Sequence, residues 1–298
     1  MKFGKVEHPG NIDFTMPADL PENKILLQKK GLKGKPNVYV GSPSWNRADL
    51  KNFYPKGTRD ELTYYASRFN SIEMNATFYS NFTPHIIEGW HNRTPADFRF
   101  FPKVHQSVSH FKRLYDAKAI TDLYLDGIAH LQEKLGMLFL QLPDNFSPAN
   151  FQTLKNYLKD WPSGFPLAIE LRHSGWYDGS WNTEPLYEVL ENYNITQLIT
   201  DTPGRRDVLH MRLSTANTFV RFNSINAEAD YARLNDWVKR LKSWVDNGLE
   251  NIYFFVHQDL EKPMPLLSGY FIKKLNEELG TNLKIPIIQS TNTQMELF

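Results

Sequence analysis

The sequence predicts an α/β fold, a (β/α)8 TIM-like barrel with an N-terminal extension. Three observations carry that prediction. Eight short apolar runs recur between residues 38 and 257. Most are separated by stretches whose apolar residues fall three and four apart, the pattern of amphipathic helices. Strands alternating with helices imply parallel βαβ units, and about eight such units over about 260 residues is the size of a closed barrel. An open doubly wound sheet is the rival, but no G-x-G-x-x-G turn follows the first run.

The elements follow in order. Residues 1–36 are polar and broken by Pro9, Pro17, Pro21 and Pro36, so they read as an extension with one short helix around Lys24–Lys29. The strand runs are VYVG (38–41), SIEMNATF (71–78), FRFFPKV (98–104), GMLFLQL (136–142), LAIELR (167–172), TQLITD (196–201), TFVRFN (218–223) and IYFFVH (252–257). Helices are predicted over 59–69, 84–93, 119–135, 150–161, 183–193, 229–247 and 265–279. Between the sixth and seventh runs, TPGRRDVLHMRLST offers no long helix. The division expected is an extension (1–36), a barrel domain (37–285) and a polar tail (286–298).

Composition sets outer bounds. A chain of 298 residues, 41% hydrophobic, is long enough for a large core. A net charge of +1 gives no global electrostatic case for nucleic acid or membrane. The absence of cysteine excludes disulfides and thiolate metal sites. MKFGKVEHPG has no apolar run behind its lysines, and no stretch approaches the roughly 20 apolar residues of a membrane span. A cytoplasmic protein without membrane contact is the expectation.

Chemistry gathers at the ends of the strands. Successive strand residues face opposite sides, so polar side chains of one parity leave the helix-packing face. Seven consecutive runs end in such groups, among them Glu73, Asn75, Thr77, Lys103, Gln141, Glu170, Arg172, Asp201, Arg221 and Asn223, with His257 closing the eighth run. The carboxyl-end mouth of a barrel is where its active site sits. The six charges Glu73, Glu170, Asp201, Lys103, Arg172 and Arg221 also balance, three of each sign, and fit a self-neutralising ionic plug. Both readings stay open.

Several chemistries suit these residues. Glu73 and Glu170 form a carboxylate pair able to divide acid and base roles, with Asp201 as a third catalytic candidate. Lys103, Arg172 and Arg221 suit a phosphate or carboxylate. Trp45, Phe53, Tyr54, Phe78, Tyr79, Trp176 and Tyr177 follow strand ends and suit an aromatic rim for sugars or bases. Glu73, Glu170, Asp201, His173 and His257 could also hold a divalent metal, but no H-x-H or H-E-x-x-H spacing supports one, so the cofactor stays unknown. Ser42 and Ser44 carry no sign of activation.

The stretches YVGSPSWNRADLKNFYPKG, YYASRFNSIEMNATFY, TPADFRFFPKV, LFLQLP, AIELRHSGW and ITDTPG, in that order from about Tyr39 to about Leu279, resemble the YecE-like family, domain of unknown function 72. The resemblance implies a TIM-barrel-like fold and no established activity. Its characteristic polar positions fall on Glu73, Asn75, Thr77, Tyr79, Lys103, Gln141, Glu170, Arg172, His173, Trp176 and Asp201. Many members end the eighth strand in paired asparagines, where this chain has FFVHQDL.

The tail ends in QMELF. Gln294, Met295, Leu297 and Phe298 are similar to the pentapeptide with which partners bind the bacterial DNA sliding clamp. Three functions are compatible with all this. One is an enzyme, a hydrolase of a phosphate-bearing, perhaps nucleic-acid-derived, substrate. The second is a non-catalytic ligand-binding adaptor tethered to the clamp. The third is a carbohydrate hydrolase using two glutamates.

Overall fold

β-branched and aromatic runs place eight strands in the chain: β1 (Asn37–Gly41), β2 (Ser71–Met74), β3 (Arg99–Pro102), β4 (Leu138–Gln141), β5 (Leu167–Glu170), β6 (Thr196–Asp201), β7 (Asn217–Asn223) and β8 (Asn251–His257). The structure is a computed structural model and describes residues 4, 6, 9–31, 34–50, 52–258 and 264–288. The clamp-like residues Gln294, Met295, Leu297 and Phe298 lie outside the described residues.

Paired strands run parallel, in a six-stranded sheet of order β1-β8-β7-β6-β5-β4 and a two-stranded sheet β2-β3. The α/β class and parallel strands agree with the sequence expectation. The closed eight-stranded ladder does not appear, because two seams interrupt it. At β1–β2 side chains replace the backbone ladder. The Asn70 amide acts as a peptide would, accepting from Val40 N at 3.0 Å and donating to Val38 O at 2.7 Å. The Tyr65 hydroxyl accepts from Ser42 N and donates to Ser71 O. One backbone bond, Glu73 N to Ser42 O at 3.0 Å, crosses that seam. The approach is tight: a Cβ on Gly41 would lie 2.3 Å from the Ser71 carbonyl oxygen. At β3–β4 the contact is two isolated bridges, Phe100 with Leu135 and Lys103 with Phe139.

Helices cover the outer face, apart from the short α3 at the end of β2: α1 (Pro21–Lys30), α2 (Glu61–Ala66), α3 (Ala76–Tyr79), α4 (Pro84–Asn92), α5 (Lys118–Ile128), α6 (Phe151–Lys159), α7 (Glu184–Asn192), α8 (Ala229–Asn247) and α9 (Met264–Leu279). Local chemistry sets their ends. Asp60 caps α2 by accepting from Thr63 N, Pro84 opens α4, and α8 stops at Gly248, whose φ of 119° suits glycine. On α8, Leu234, Trp237, Val238, Leu241 and Trp244 form the buried stripe that the three-and-four spacing predicts. The expected helix over 119–135 breaks near its end, where Gln132 has a φ of 50°. The expected strand 71–78 stops early, because Asn75 turns into α3. As read, β6 and β7 are joined without a long helix; a single turn, Arg206–Val208, interrupts the connection.

The N-terminal extension packs on the outer layer. The Asn23 amide donates to Met211 O and accepts from Leu213 N, and Asp19 receives the Trp244 indole N–H at 3.0 Å. Apolar side chains divide into two clusters. A large one lies between strands and helices. A small one, Phe101, Met137, Phe139, Ala168, Leu198, Phe219 and Phe255, lies on the opposite faces of the strands and is lined by Tyr39 and Tyr253. Each ring in this inner cluster contributes on the order of 1.5–3 kcal/mol by leaving water.

Candidate functional site

Strand alternation determines which side chains follow that inner cluster. Phe219 faces inward on β7, so Arg221 faces the same way two residues later. By the same count Phe255 sets His257, Ala168 sets Glu170, Phe139 sets Gln141 and Phe101 sets Lys103, while β2 contributes Glu73. A polar layer therefore sits on an aromatic floor at the carboxyl ends of the strands.

Arg221 is its hub. Its Nε and Nη2 donate to the two oxygens of Glu73 at 3.0 and 2.9 Å, and its Nη1 donates to Glu170 Oε2 at 2.9 Å. Glu73 also receives Asn75 Nδ2 at 2.8 Å and meets His257 Nε2 at 3.0 Å. Glu170 receives Arg172 Nε at 2.6 Å and Gln141 Nε2 at 2.7 Å. The oxygen of the same Gln141 amide accepts from Lys103 Nζ at 2.7 Å. Lys103 Nζ also lies 3.9 Å from the centre of the Phe78 ring. Glu73 and Glu170 are 0% and 1% exposed, Lys103 and Arg221 7%.

Burial alone would raise both carboxyl pKa values, but the cations prevail. Arg221 and His257 hold Glu73 well below the ordinary carboxylate range, and Arg172 with Arg221 bring Glu170 to about 2. Both are carboxylates at neutral pH, so neither can supply the general-acid half of the expected acid–base pair. One guanidinium also fills the space between them, where a glycosidase holds its sugar. Lys103 moves the other way. Desolvation and then Arg221 lower it to about 7, outweighing Glu170 and Glu73, with Arg172 adding to the fall. His110, brought in by a π-helical turn at Ser107–Phe111, is lowered to about 4 by burial, Lys103 and Arg172.

Asp201 is not in this network. Leu198 faces inward on β6, so Thr200 shares its direction and Asp201 faces the helices. There Asp201 accepts from Arg233 at 2.8 Å, from Trp237 Nε1 at 2.8 Å and from Arg206. Its pairing is with α8 and the following loop. Sequence reasoning passed over Thr200, whose buried hydroxyl has no hydrogen-bond partner among the described residues and which lies in register with Arg221. It also passed over His110 and weighed His257 only as a metal ligand; strand parity flags Thr200 and His257, and nothing in the sequence flags His110.

Other expected site residues have local duties. The Thr77 hydroxyl is shared between Met74 O and Lys103 O, joining the ends of β2 and β3. His173 Nδ1 accepts from Gly175 N. Trp176 is fully buried, with its indole N–H on Phe146 O at 2.8 Å. Of the proposed aromatic rim, Phe53, Tyr54, Phe78 and Trp176 are buried and Tyr79 is exposed, edge-on to Phe78. Among the described residues no group of three or more His, Asp or Glu is arranged to hold a metal ion, and no helix is long and apolar enough to cross a membrane.

Comparison with known proteins adds a lineage. The family described as protein of unknown function DUF72 matches residues 39–290. The UPF0759 protein YecE of Escherichia coli strain K12 is 25% identical over 274 residues, covering 84% of this chain and 97% of that protein. The UPF0759 protein YunF of Bacillus subtilis is 27% identical over 165 residues, covering 51% of this chain and 54% of that protein. Two solved structures share the fold. A DUF72 family protein from Thermotoga maritima has a TM-score of 0.64 at 24% identity, covering 81% of this chain and 100% of that one. Another from Enterococcus faecalis has a TM-score of 0.64 at 18% identity, covering 84% and 100%.

Proposed function

The chain belongs to the DUF72 family, and from that premise we propose that it binds a small anionic, phosphate-bearing ligand at the carboxyl ends of its strands. We read those ends as the mouth of a (β/α)8 barrel. One observation carries the proposal: among the described residues the polar layer is not neutral. With Asp201 turned outward, the described network holds two carboxylates, Glu73 and Glu170, against three cations, Arg221, Arg172 and Lys103. A balanced plug would need the third carboxylate inside. Arg221 is saturated by the two glutamates and Arg172 is paired with Glu170, so the excess charge falls on Lys103. Lys103 has a neutral amide where a counter-ion would stand. Burial lowers the pKa values of Arg172 and His110, and Asp144, exposed after β4, only partly offsets that fall.

The two glutamates act as positioning residues: they hold Arg221 and Arg172 in place on a dry aromatic floor, where a cation–anion contact is strong. Asn75, Thr77, Gln141 and His257 orient that frame. With no general acid among the two glutamates, and with Phe53, Tyr54, Phe78 and Trp176 of the rim buried, a carbohydrate hydrolase has less support than anion binding. A clamp partner for Gln294–Phe298 rests on the sequence pattern alone.

Inorganic sulfate tests the reading, since it stays a dianion between about pH 5 and 9 and leaves the protein as the titrating partner. An anion beside Lys103 favours its ammonium, so affinity is full below about pH 7 and falls by up to tenfold per pH unit above it. Isothermal calorimetry on wild type, Lys103→Met and Arg172→Gln should give at least a tenfold loss in each variant, while Asp201→Asn binds as wild type. Sulfate affinity that ignores Lys103 and pH rejects the proposal.

A further inference from the structure

We propose that Lys103 is a carbonyl-capturing amine: its Nζ, set against the Phe78 face and held by Gln141 rather than a carboxylate, forms an imine with an anionic aldehyde or ketone bound at Arg172. The inference rests on the anion-binding reading and names its substrate class.

An amine acts as a nucleophile only when it is unprotonated, and most lysines in proteins never are at neutral pH. Three features of the site favour the neutral amine here. Lys103 is 7% exposed, so its charge is poorly hydrated. The guanidinium groups of Arg221 and Arg172 act on it from β7 and from just past β5, and His110 faces the same Phe78 ring. The opposing charges of Glu170 and Glu73 are already bound by those arginines. The contact from Gln141 matters as well. Its amide oxygen accepts one N–H of Lys103 while its NH2 is committed to Glu170, so the amine is oriented without a proton acceptor strong enough to hold it as an ammonium. Together these lower its pKa to about 7. Arg172, 15% exposed at its side chain, supplies the cation for the anionic end of the substrate.

The step balances without a further reagent. Lys103 Nζ, as the amine, adds to the carbonyl carbon, and a C–N bond forms. The carbonyl oxygen leaves as water, taking two of the three protons that the ammonium carried. The product is a protonated imine of the same net charge, and nothing is oxidised or reduced.

Dihydroxyacetone phosphate with sodium cyanoborohydride at pH 7 tests this on the intact protein, because the reductant fixes an imine as a stable secondary amine. Peptide mapping by mass spectrometry should find Lys103 modified about a hundredfold faster than exposed lysines, whose free-amine fraction near neutrality is about a thousandfold smaller. Sulfate should slow that labelling, and uncharged dihydroxyacetone should label Lys103 at least tenfold more slowly. Labelling of Lys103 no faster than of surface lysines, with sulfate still bound, overturns the imine and leaves the anion site standing. Fast Lys103 labelling indifferent to sulfate and to the phosphate group upholds the imine and overturns the anion site. Lys103→Arg, folded by its melting curve, should lose the label while keeping the charge.

Discussion

Lys103 and Glu170 both make stability rise with pH, in separate windows. Below about pH 7 the Lys103 ammonium is present in both folded and unfolded chains, and its burial costs stability. Between about 7 and 10.5 the folded chain has released that proton while the unfolded chain keeps it, so stability rises with pH across this window. Lys103→Met should therefore be more stable than wild type by about 1–3 kcal/mol below pH 7, an advantage that fades towards pH 10.5. Glu170 is depressed as well, in an acid window: its contribution is complete above about 4.5 and is lost as pH falls towards about 2. Urea unfolding across the pH range separates the two, and a Lys103→Met variant less stable than wild type at pH 6 contradicts the burial argument. At this scale most of the network was legible. Parity singles out Glu73, Glu170, Lys103, Gln141 and Arg221. Asp201 shows where a residue type outweighed the count: it ends a strand and is acidic, but Leu198 sets the inward direction and Thr200 follows it. Two of the three partners of Asp201, Arg233 and Trp237, lie on α8, more than thirty residues away in sequence, so no local pattern announces them.

Between β1 and β2 a side chain does the work of a strand. Removing the Asn70 amide leaves Val40 N–H and Val38 C=O without that partner, so Asn70→Ala should cost about 1–3 kcal/mol, read as a lowered urea midpoint with an unchanged slope. A cost below about 0.5 kcal/mol would mean that water replaces the amide at no loss. Element existence and order were legible because periodicity is local. Element ends were less so. The run 71–78 keeps an apolar pattern through Phe78, but α3 uses that pattern to pack Phe78 against Lys103. The helix over 119–135 likewise reads as continuous until Gln132 breaks it.

For the molecule as a whole, the count of units indicated eight parallel strands and could not indicate whether every neighbour pairs by backbone. The seams are made by Asn70, Tyr65 and isolated bridges, which alternation does not encode. They matter because the small sheet, β2 with β3, supplies Glu73 and leads into Lys103, whereas the large sheet supplies Gln141, Glu170, Arg221 and His257. Arg221–Glu73, His257–Glu73 and Lys103–Gln141 are thus bonds between sheets as well as parts of a site. An anion that draws on Lys103 and Arg172 also loads the fastening between two leaves. Amide hydrogen exchange in β2 and β3 should slow on adding sulfate, with β6 and β7 as the unchanged reference, and equal protection throughout would dismiss the link. Tightness of binding and stiffness of the scaffold then become one adjustable quantity, so a substitution chosen to strengthen either is also a change to the other.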